Sequence, residues 1–401
     1  MRSQHPQQMF TVALIIESGR AFGRGLLQGI ARYAHTQGNW SIVYHPWEWD
    51  DQTPAWLMQF RCDGVIARID SKALLHALRR LKVPVVDVRR KFRTPGIPMV
   101  GSEYRLIAQL AADHLRERGF RNFAYCGYAG VDYSIRRRDD FINYLSNHHH
   151  KAIIYEGGSP HSAATWQRES AAMFHERELG AWLTKLPTPI GLMACNDVRG
   201  RQVLNACRIH HIKVPDEVAV IGVDNDEVLC DLADPPLSSV IPATDRIGYE
   251  AATLLNDMMR GIRPNLQEVC IEPLGVATRR STDVLAVEDL RVAEALRFIR
   301  DHACEGITVE DVLNHLCNKD SLQVSRSTLE HRFNEIVKHS PKEEIMLVRL
   351  QRMKQLIVNT DWTLPEIATR VGIQHAEYLS TLFKRKFGRT PGEFRRHMRR
   401  A

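Results

Sequence analysis

The chain has 401 residues, of which 44% are hydrophobic and 25% charged, the composition of an ordinary globular protein. Because a typical domain holds about 150 residues, we expect more than one hydrophobic core. This composition excludes a disordered, fibrous or disulfide-stapled chain. The apolar run Val12 to Ile16 is far too short for a signal sequence or a membrane span, so we predict a cytoplasmic location.

The eight cysteines are scattered and include no C-x-x-C pair. In a chain without an export signal, this pattern indicates reduced thiols and no zinc site. The run His148 to His150 lies in a polar stretch and is predicted to be solvated rather than bound to a metal. We therefore expect no metal and no cofactor.

The formal net charge of +7 has a single source. Residues 370–401 contain nine lysines and arginines and two acids, whereas the rest of the chain holds 45 residues of each sign. A basic segment of this kind is either a solvated helix face or a surface for nucleic acid.

Residues 9–280 alternate short apolar runs with longer amphipathic stretches. The runs predict strands at Thr11–Ile16, Gly64–Ile69, Val83–Val88, Asn122–Cys126, Ile153–Tyr155, Ile190–Ala194 and Val218–Val223. The stretches predict helices that include Leu26–Ala34, Leu106–Arg118, Asp139–Ser146 and Gly200–Arg208. This alternation predicts an α/β domain with parallel sheets, whose ligands bind beyond the carboxyl ends of the strands.

The segments Pro189 to Asp197 (PIGLMACND), Val214 to Asn225 (VPDEVAVIGVDN) and Leu237 to Val240 (LSSV) resemble the LacI/galactose repressor family. The resemblance implies a two-lobed, periplasmic-binding-protein-like sensor domain for a small sugar. In that family the DNA-binding unit precedes the sensor. Here such a unit would have to follow it.

A site for a polyhydroxyl ligand needs paired hydrogen-bonding groups and an apolar face against which a ring can stack. Asp197 and Asp224 each end a predicted strand and would accept hydrogen bonds from adjacent hydroxyls. By the resemblance, Arg137 is the arginine that follows the first strand of the second lobe. Phe22, in the loop Gly19 to Gly25 after the first predicted strand, is a stacking candidate. The alternative for each is a helix cap, an ion pair or a core aromatic.

Three further arginines follow strands at the ligand-facing ends, namely Arg68, Arg89 and Arg90. Arginine forks suit carboxylates and phosphates, so a sugar acid or a sugar phosphate is an alternative to a neutral sugar. The other interpretation is that these arginines pair with acids of the protein.

The predicted α/β domain contains no motif that indicates catalysis. The glycines that follow the first strand, Gly19, Gly23, Gly25 and Gly29, do not have the G-x-G-x-x-G spacing of a dinucleotide site. No G-x-S-x-G motif or P-loop occurs either. We therefore predict that the protein is not an enzyme.

After Gly275 the pattern changes, and from Leu290 onward it is helical throughout. We predict a sensor domain at 9–280, a linker at 281–289 and an all-α domain at 290–401. Capping boxes predict helix starts at Ser340, Thr363 and Thr390, each with a glutamate three residues later, and a weaker one at Thr308 with Asp311.

The segment 364–395 has the pattern of a helix-turn-helix. A short helix with the small Ala368 precedes Gly372 in the turn, and a second helix runs from about His375 to Phe387. This segment resembles the AraC family of transcription regulators at Ile367, Ala368, Gly372, Tyr378, Phe383, Lys384, Gly388, Thr390, Pro391 and Arg395. It departs from the family at Ile373, Leu379 and Phe394, which all remain apolar.

An upstream unit, Val309 to Phe333, resembles the first helix-turn-helix of the same family, although its loop Cys317–Val324 is about six residues longer. A long helix joins the two units and would place both recognition helices on one face of DNA, about 34 Å apart. Base-edge candidates are Ser327, Thr328, His331, His375, Glu377 and Thr381. Phosphate candidates are Arg326, Arg332, Lys384 and Lys386.

The order of a sensor followed by an AraC-type domain resembles the xylose operon regulators. Arg279 to Asp283 (RRSTD) and Phe298 to Ile307 (FIRDHACEGI) are very similar to that group. The resemblance implies a transcription regulator of a sugar-catabolism operon that responds to D-xylose, with activation favoured. It also implies a homodimer whose partners are operator DNA, the sugar and RNA polymerase. The alternative is a sugar-binding or sugar-modifying protein whose helical tail contacts other proteins.

Overall fold

The computed structural model describes residues 9–37, 39–44, 57, 61–157, 176–263, 268–283, 289–318, 322–360, 362–373 and 376–398. The chain divides into two compact units, Met1–Asp283 and Val284–Ala401. The first is α/β and the second is helical, as the sequence predicts.

Within the described residues, the first unit contains two six-stranded sheets. The first sheet consists of β1 (Phe10–Ile15), β2 (Trp40–Tyr44), β3 (Gly64–Ala67), β4 (Val85–Asp87), β5 (Met99–Ser102) and β11 (Glu268–Ile271). The second consists of β6 (Asn122–Gly127), β7 (Ala152–Glu156), β8 (Ile190–Ala194), β9 (Val218–Val223), β10 (Ser238–Ile241) and β12 (Gly275–Ala277).

The strand orders are β11-β5-β4-β3-β1-β2 and β12-β10-β9-β8-β6-β7. All neighbouring strands are parallel except β10 and β12. All seven predicted strands are present, whereas β2, β5, β10, β11 and β12 were not among the predicted runs. Three of these five lie at sheet edges, and β5 and β10 are short with polar or glycine residues, so their apolar pattern is weak.

The helices of this unit are α1 (Ala21–Thr36), α2 (Lys72–Leu81), α3 (Tyr104–Glu117), α4 (Asp132–Asn147), α5 (Glu176–Leu183), α6 (Asp197–Ile209), α7 (Glu227–Asp231) and α8 (Thr244–Met259). The chain passes between the two sheets after β5, after β10 and after β11. As a result α3 packs against α4, and α8 returns to pack against α1. Each sheet with its helices forms one lobe of the unit.

The glycines of α1 serve close helix packing. A Cβ on Gly29 would overlap the carbonyl oxygen of Asp245, and one on Gly248 would overlap the carbonyl oxygen of Leu26. Because α1 and α8 cross at backbone contact, these positions admit no side chain. This packing explains Gly29, one of the glycines whose spacing does not fit a dinucleotide site.

The second unit contains α9 (Leu290–His302), α10 (Val309–Cys317), α11 (Arg326–Val337), α12 (Pro341–Asn359), α13 (Leu364–Arg370), α14 (Ala376–Phe387) and α15 (Pro391–Met398). One hydrophobic core lies among α9, α10, α11 and the start of α12. Another lies among the rest of α12 and the three helices that follow. The structure confirms all four capping boxes.

The predicted linker 281–289 differs from the structure at both of its ends. Ser281 and Thr282 are buried in the first unit, in a 3-10 turn that packs on β9 and β10. Asp289 caps α9 by accepting hydrogen bonds from the N–H groups of Arg291 and Val292. The sequence suggests that these polar side chains are solvated. In the structure, those of Ser281 and Asp289 form hydrogen bonds with backbone groups instead.

None of the helices in the described part of the chain is long and apolar enough to cross a membrane. Among the same residues, no group of three or more His, Cys, Asp or Glu side chains is arranged to hold a metal ion.

Candidate functional site

A cavity of about 410 Å³ lies between the two lobes of the first unit. The residues after β1, β3, β4 and β5 line it from the first lobe, and those after β6, β8 and β9 line it from the second. All the ligand candidates chosen from the sequence line this one cavity: Phe22, Arg68, Arg89, Arg90, Arg137, Asp197 and Asp224.

Four of the five arginines that line the cavity form an ion pair with a carboxylate. The pairs are Arg68 with Glu17, Arg89 with Asp70, Arg90 with Glu268 and Arg137 with Asp224. Burial alone would lower the pKa of Arg137, but Asp224 and the neighbouring tyrosines outweigh burial and raise it. These arginines therefore stay charged, and their charge is balanced within the protein.

Asp197 is buried at the start of α6, and its two carboxylate oxygens hold the neighbouring loop. Its Oδ1 accepts a hydrogen bond from the Ser239 hydroxyl at 2.6 Å, and its Oδ2 accepts one from the Asp226 N–H at 2.7 Å. Burial and the nearby Asp224 carboxylate raise the pKa of Asp197 to about 8. Asp197 thus positions the loop after β9 as well as lining the cavity.

Three aromatic rings flank the arginines. The guanidinium of Arg68 lies 5.1 Å from the centre of the Phe22 ring. The Tyr133 ring lies 5.4 Å from the guanidinium of Arg89 and 5.3 Å from that of Arg137. Tyr104 stands 5.6 Å from the guanidinium of Arg137 as well. These rings and planar guanidinium groups make walls against which a sugar ring can stack.

Sequence reasoning missed several residues of the cavity, among them Glu17 and Ser102. Glu17 is 2% exposed, and within the described residues its Oε2 has no hydrogen-bond partner. Within the described residues, the buried Oγ of Ser102 and the buried Nε of Arg137 also have no hydrogen-bond partner. Unpaired buried polar atoms are costly, so a ligand that hydrogen-bonds to them gains affinity. The only sequence signal for Glu17 was its position directly after the first predicted strand.

Hydrogen bonds join the two lobes at the edge of the cavity. Asp226 Oδ2 accepts from the Ala21 N–H at 3.1 Å and from Arg24 Nη2 at 3.3 Å. Arg136 Nη2 donates to the carbonyl oxygen of Arg90 at 3.0 Å. The lobes are therefore held together by groups that an opening motion would separate.

In the second unit, α14 has the two faces that the sequence predicts. Leu379, Leu382 and Phe383 are buried in the core. The opposite side is exposed and carries Glu377, Thr381, Lys384, Arg385 and Lys386. Thr381 and Lys384 line a shallow pocket together with Ser380 and Thr390. His375 lies outside the described residues.

The first recognition helix, α11, exposes Arg326, Ser327, Thr328 and His331 at its start. Arg326 pairs with Glu330 at 3.0 Å one turn further along the same helix. The sequence predicts that Arg332 contacts a phosphate. In the structure it forms an ion pair with Asp289, the cap of α9. A phosphate contact by Arg332 would require this pair to separate.

Comparisons with known proteins cover nearly the whole chain. A family described as XylR N-terminal domain matches residues 11–103, one described as periplasmic binding protein-like domain matches residues 112–282, and one described as helix-turn-helix domain matches residues 320–397. The xylose operon regulatory protein of Haemophilus influenzae is 32% identical over 397 residues, which cover 97% of this chain and 99% of that protein.

The chain belongs to the family of xylose operon regulatory proteins. The family's member from Escherichia coli K12 is 31% identical over 404 residues, covering 96% of this chain and 98% of that protein. A solved structure described as the xylose-binding transcription activator xylR superposes with a TM-score of 0.73 at 30% identity, covering 97% of this chain and 98% of that one. The chain is accordingly a transcription regulator and not an enzyme.

Proposed function

We propose that this regulator binds D-xylose in the cavity between its lobes and that the sugar alters its binding to an operator, as an activator of a sugar-catabolism operon. The observation that carries the choice of ligand is that four of the five arginines lining the cavity are paired with carboxylates. Arginines whose charge is already matched favour a neutral polyhydroxyl ligand. A sugar acid or sugar phosphate would bring a further negative charge to arginines whose charge is already matched.

The buried polar atoms without partners offer both acceptor and donor positions to such a ligand. Glu17 Oε2 accepts from a hydroxyl, Arg137 Nε donates to a hydroxyl oxygen, and Ser102 Oγ does either. Phe22 supplies an apolar face beside them. The bonds from Ala21 and Arg24 to Asp226 then hold the lobes closed over the sugar.

For DNA, the exposed starts of α11 and α14 present Ser327, Thr328, His331, Glu377 and Thr381 to base edges, with His375 included from the sequence alone. Lys384, Lys386 and Arg326 contact phosphates. The regulator works as a homodimer in the cytoplasm and contacts RNA polymerase when it activates. The homodimer, the cytoplasmic location and the contact with RNA polymerase rest on the resemblance to the family.

A thermal-shift series tests the ligand. The full chain is melted with D-xylose, with other pentoses, with xylonate and with a pentose phosphate. A ligand that binds only the folded protein at a hundred times its Kd adds about 2.7 kcal/mol to the free energy of unfolding. A shift with xylose, and none with the anionic sugars, supports the proposal. A shift with an anionic sugar alone would overturn the choice of ligand while leaving the DNA role intact.

Binding to DNA is tested by fluorescence anisotropy with a labelled promoter fragment of the operon adjacent to the regulator's own gene. Affinity should fall steeply as salt rises, because binding releases counterions from the phosphates. A sugar-dependent change in affinity supports regulation. Absence of salt-sensitive binding would contradict the proposal and favour a tail that contacts other proteins.

A further inference from the structure

The loop after β9 lies between the ligand cavity and the end of the first unit. It consists of three consecutive residues, Asp224, Asn225 and Asp226. Their side chains bind three different parts of the unit, so the loop is the place where those parts meet.

The Asp224 side chain faces the cavity, and the Asp226 side chain faces the opposite lobe. Asp224 Oδ1 accepts from Arg137 Nη2 at 3.0 Å, and both residues line the cavity. Asp226 Oδ2 accepts from Ala21 and Arg24 of the first lobe. A sugar that draws hydrogen bonds from Arg137, or that changes the closure of the lobes, therefore acts directly on this loop.

The middle side chain binds the segment through which the chain leaves the unit. Asn225 Oδ1 accepts from Arg279 Nη1 at 2.9 Å. The Arg279 guanidinium also donates to the carbonyl oxygen of Leu237 at 3.2 Å and to Asp231 Oδ1 at 3.2 Å. Only the turn Arg280–Thr282, in which Ser281 and Thr282 are buried, separates Arg279 from Asp283, the last residue of the first unit.

The backbone of the loop is held in a conformation that its residues do not favour. The φ angles of Asp224 and Asn225 are +108° and +49°, and neither residue is glycine. Hydrogen bonds from Asn225 N–H to Ser239 Oγ, at 3.0 Å, and from Asp226 N–H to Asp197 Oδ2 keep it there. Strained backbone persists only where surrounding contacts impose it, so a change in those contacts moves the three residues together.

We infer that Asn225 and Arg279 are positioning residues for the response: they carry the state of the cavity to the segment that leads into the DNA-binding unit. Neither residue lines the cavity, and Arg279 precedes the helix-turn-helix units in sequence. The inference rests on the proposed function, because it assigns the route by which the sugar alters DNA binding.

The test uses the whole chain and four variants. Asn225→Gly removes the acceptor but suits the positive φ, whereas Asn225→Asp keeps an acceptor oxygen for Arg279. Arg279→Met removes the donor, and Arg280→Met, at the exposed neighbouring position, is its control. For each protein we would measure the Kd for D-xylose by calorimetry, and the Kd for promoter DNA with and without saturating xylose. Amide hydrogen exchange of the 277–283 segment would be followed with and without the sugar.

Coupling between two sites typically changes an affinity by about 5- to 150-fold. We expect Asn225→Gly and Arg279→Met to bind xylose within about threefold of the wild type, less than one power of ten in Kd. Their DNA affinity, however, should no longer respond to the sugar, and the sugar-dependent protection of 277–283 should be lost. Asn225→Asp and Arg280→Met should respond as the wild type does.

A full response in Asn225→Gly and Arg279→Met would overturn the inference while leaving the proposed function standing. Loss of xylose binding and DNA binding together in both variants would show a purely structural role and would also overturn it. If the wild type itself shows neither a sugar-dependent change in DNA affinity nor sugar-dependent protection, the proposed function fails and the inference fails with it.

Discussion

Gly372, in the turn of the second helix-turn-helix, lies directly against the backbone of Gly306, in the turn between α9 and α10. A Cβ on Gly372 would stand 2.6 Å from Gly306 N and 2.8 Å from the carbonyl oxygen of Cys304. Beside this contact, Arg349 of α12 donates to the carbonyl oxygens of Ala303 and Ile307 at 2.7 and 2.9 Å. The two helix-turn-helix units are therefore fixed to each other by direct contact as well as by α12.

Replacement of Gly372 by alanine should disturb this contact. The φ of Gly372 is +71°, and a left-handed alanine costs about 1 kcal/mol. The clash with Gly306 adds a similar or larger amount, for a total of about 3 kcal/mol. Gly388→Ala is the matched control, since Gly388 has a φ of +74° and no atom within 4 Å of its added Cβ. Gly372→Ala should lower the melting temperature and the DNA affinity more than Gly388→Ala does. Equal losses in the two variants would contradict a special role for the contact.

Replacement of Lys384 and Lys386 by glutamine should weaken DNA binding without changing its sequence preference. Each phosphate contact that is lost lowers the slope of log Kd against log salt by about one. The double variant should therefore show a slope smaller by about two, measured by anisotropy across a salt series. Lys213→Gln, at an exposed position of the sensor domain, should leave the slope unchanged. An unchanged slope in the double variant would remove both lysines from the phosphate contacts.

Glu17→Gln should weaken sugar binding. The substitution removes the charge that pairs with Arg68 and replaces one acceptor oxygen with a donor. Hydrogen bonds to charged groups contribute about 1.5–3 kcal/mol, which corresponds to roughly a tenfold to hundredfold increase in Kd. Calorimetry with xylose measures the change, and Glu117→Gln, at an exposed position of α3, should bind as the wild type does. Wild-type affinity in Glu17→Gln would exclude Glu17 from ligand binding.

His114 should make the sensor domain sensitive to acid. Its Nε2 is hydrogen-bonded to the Thr282 hydroxyl at 2.7 Å, and burial, with a further contribution from Arg118, lowers the pKa of His114 to about 3. Between pH 6.5 and 3 the unfolded chain binds a proton that the folded chain does not. The free energy of unfolding therefore decreases as the pH falls from 6.5 towards 3, by up to about 1.4 kcal/mol per pH unit.

Urea unfolding of the wild type and His114→Gln at pH 7 and pH 5 measures this effect. The wild type should lose more stability than the variant between the two pH values, because glutamine has no proton to gain. His35→Gln, at an exposed position, is the control and should follow the wild type. Parallel losses in the wild type and His114→Gln would show that His114 does not carry the acid sensitivity.

The class of fold and the order of the domains could be predicted from the sequence because both depend on local patterns. Central strands such as β8 and β9 are buried on both faces and therefore appear as continuous apolar runs. The capping boxes at Ser340 and Thr363 need only residues three positions apart. Edge strands such as β2, and the burial of Ser281 and Thr282, depend on neighbours distant in sequence, and no local pattern marks them.

The sequence alone predicted an α/β domain followed by a basic, helical domain, because periodicity, capping and charge depend on neighbouring residues. Its resemblance to known families implied that the first is a two-lobed sensor and the second binds DNA. The sequence also indicated which residues follow the strand ends. Only the tertiary structure decided how those residues are used. It paired Arg90 with Glu268, 178 positions away, and Arg137 with Asp224, and it buried Glu17 in the cavity wall. Whether an arginine attracts an anion or balances a carboxylate depends on what lies within a few ångströms of it, and folding alone brings such partners together.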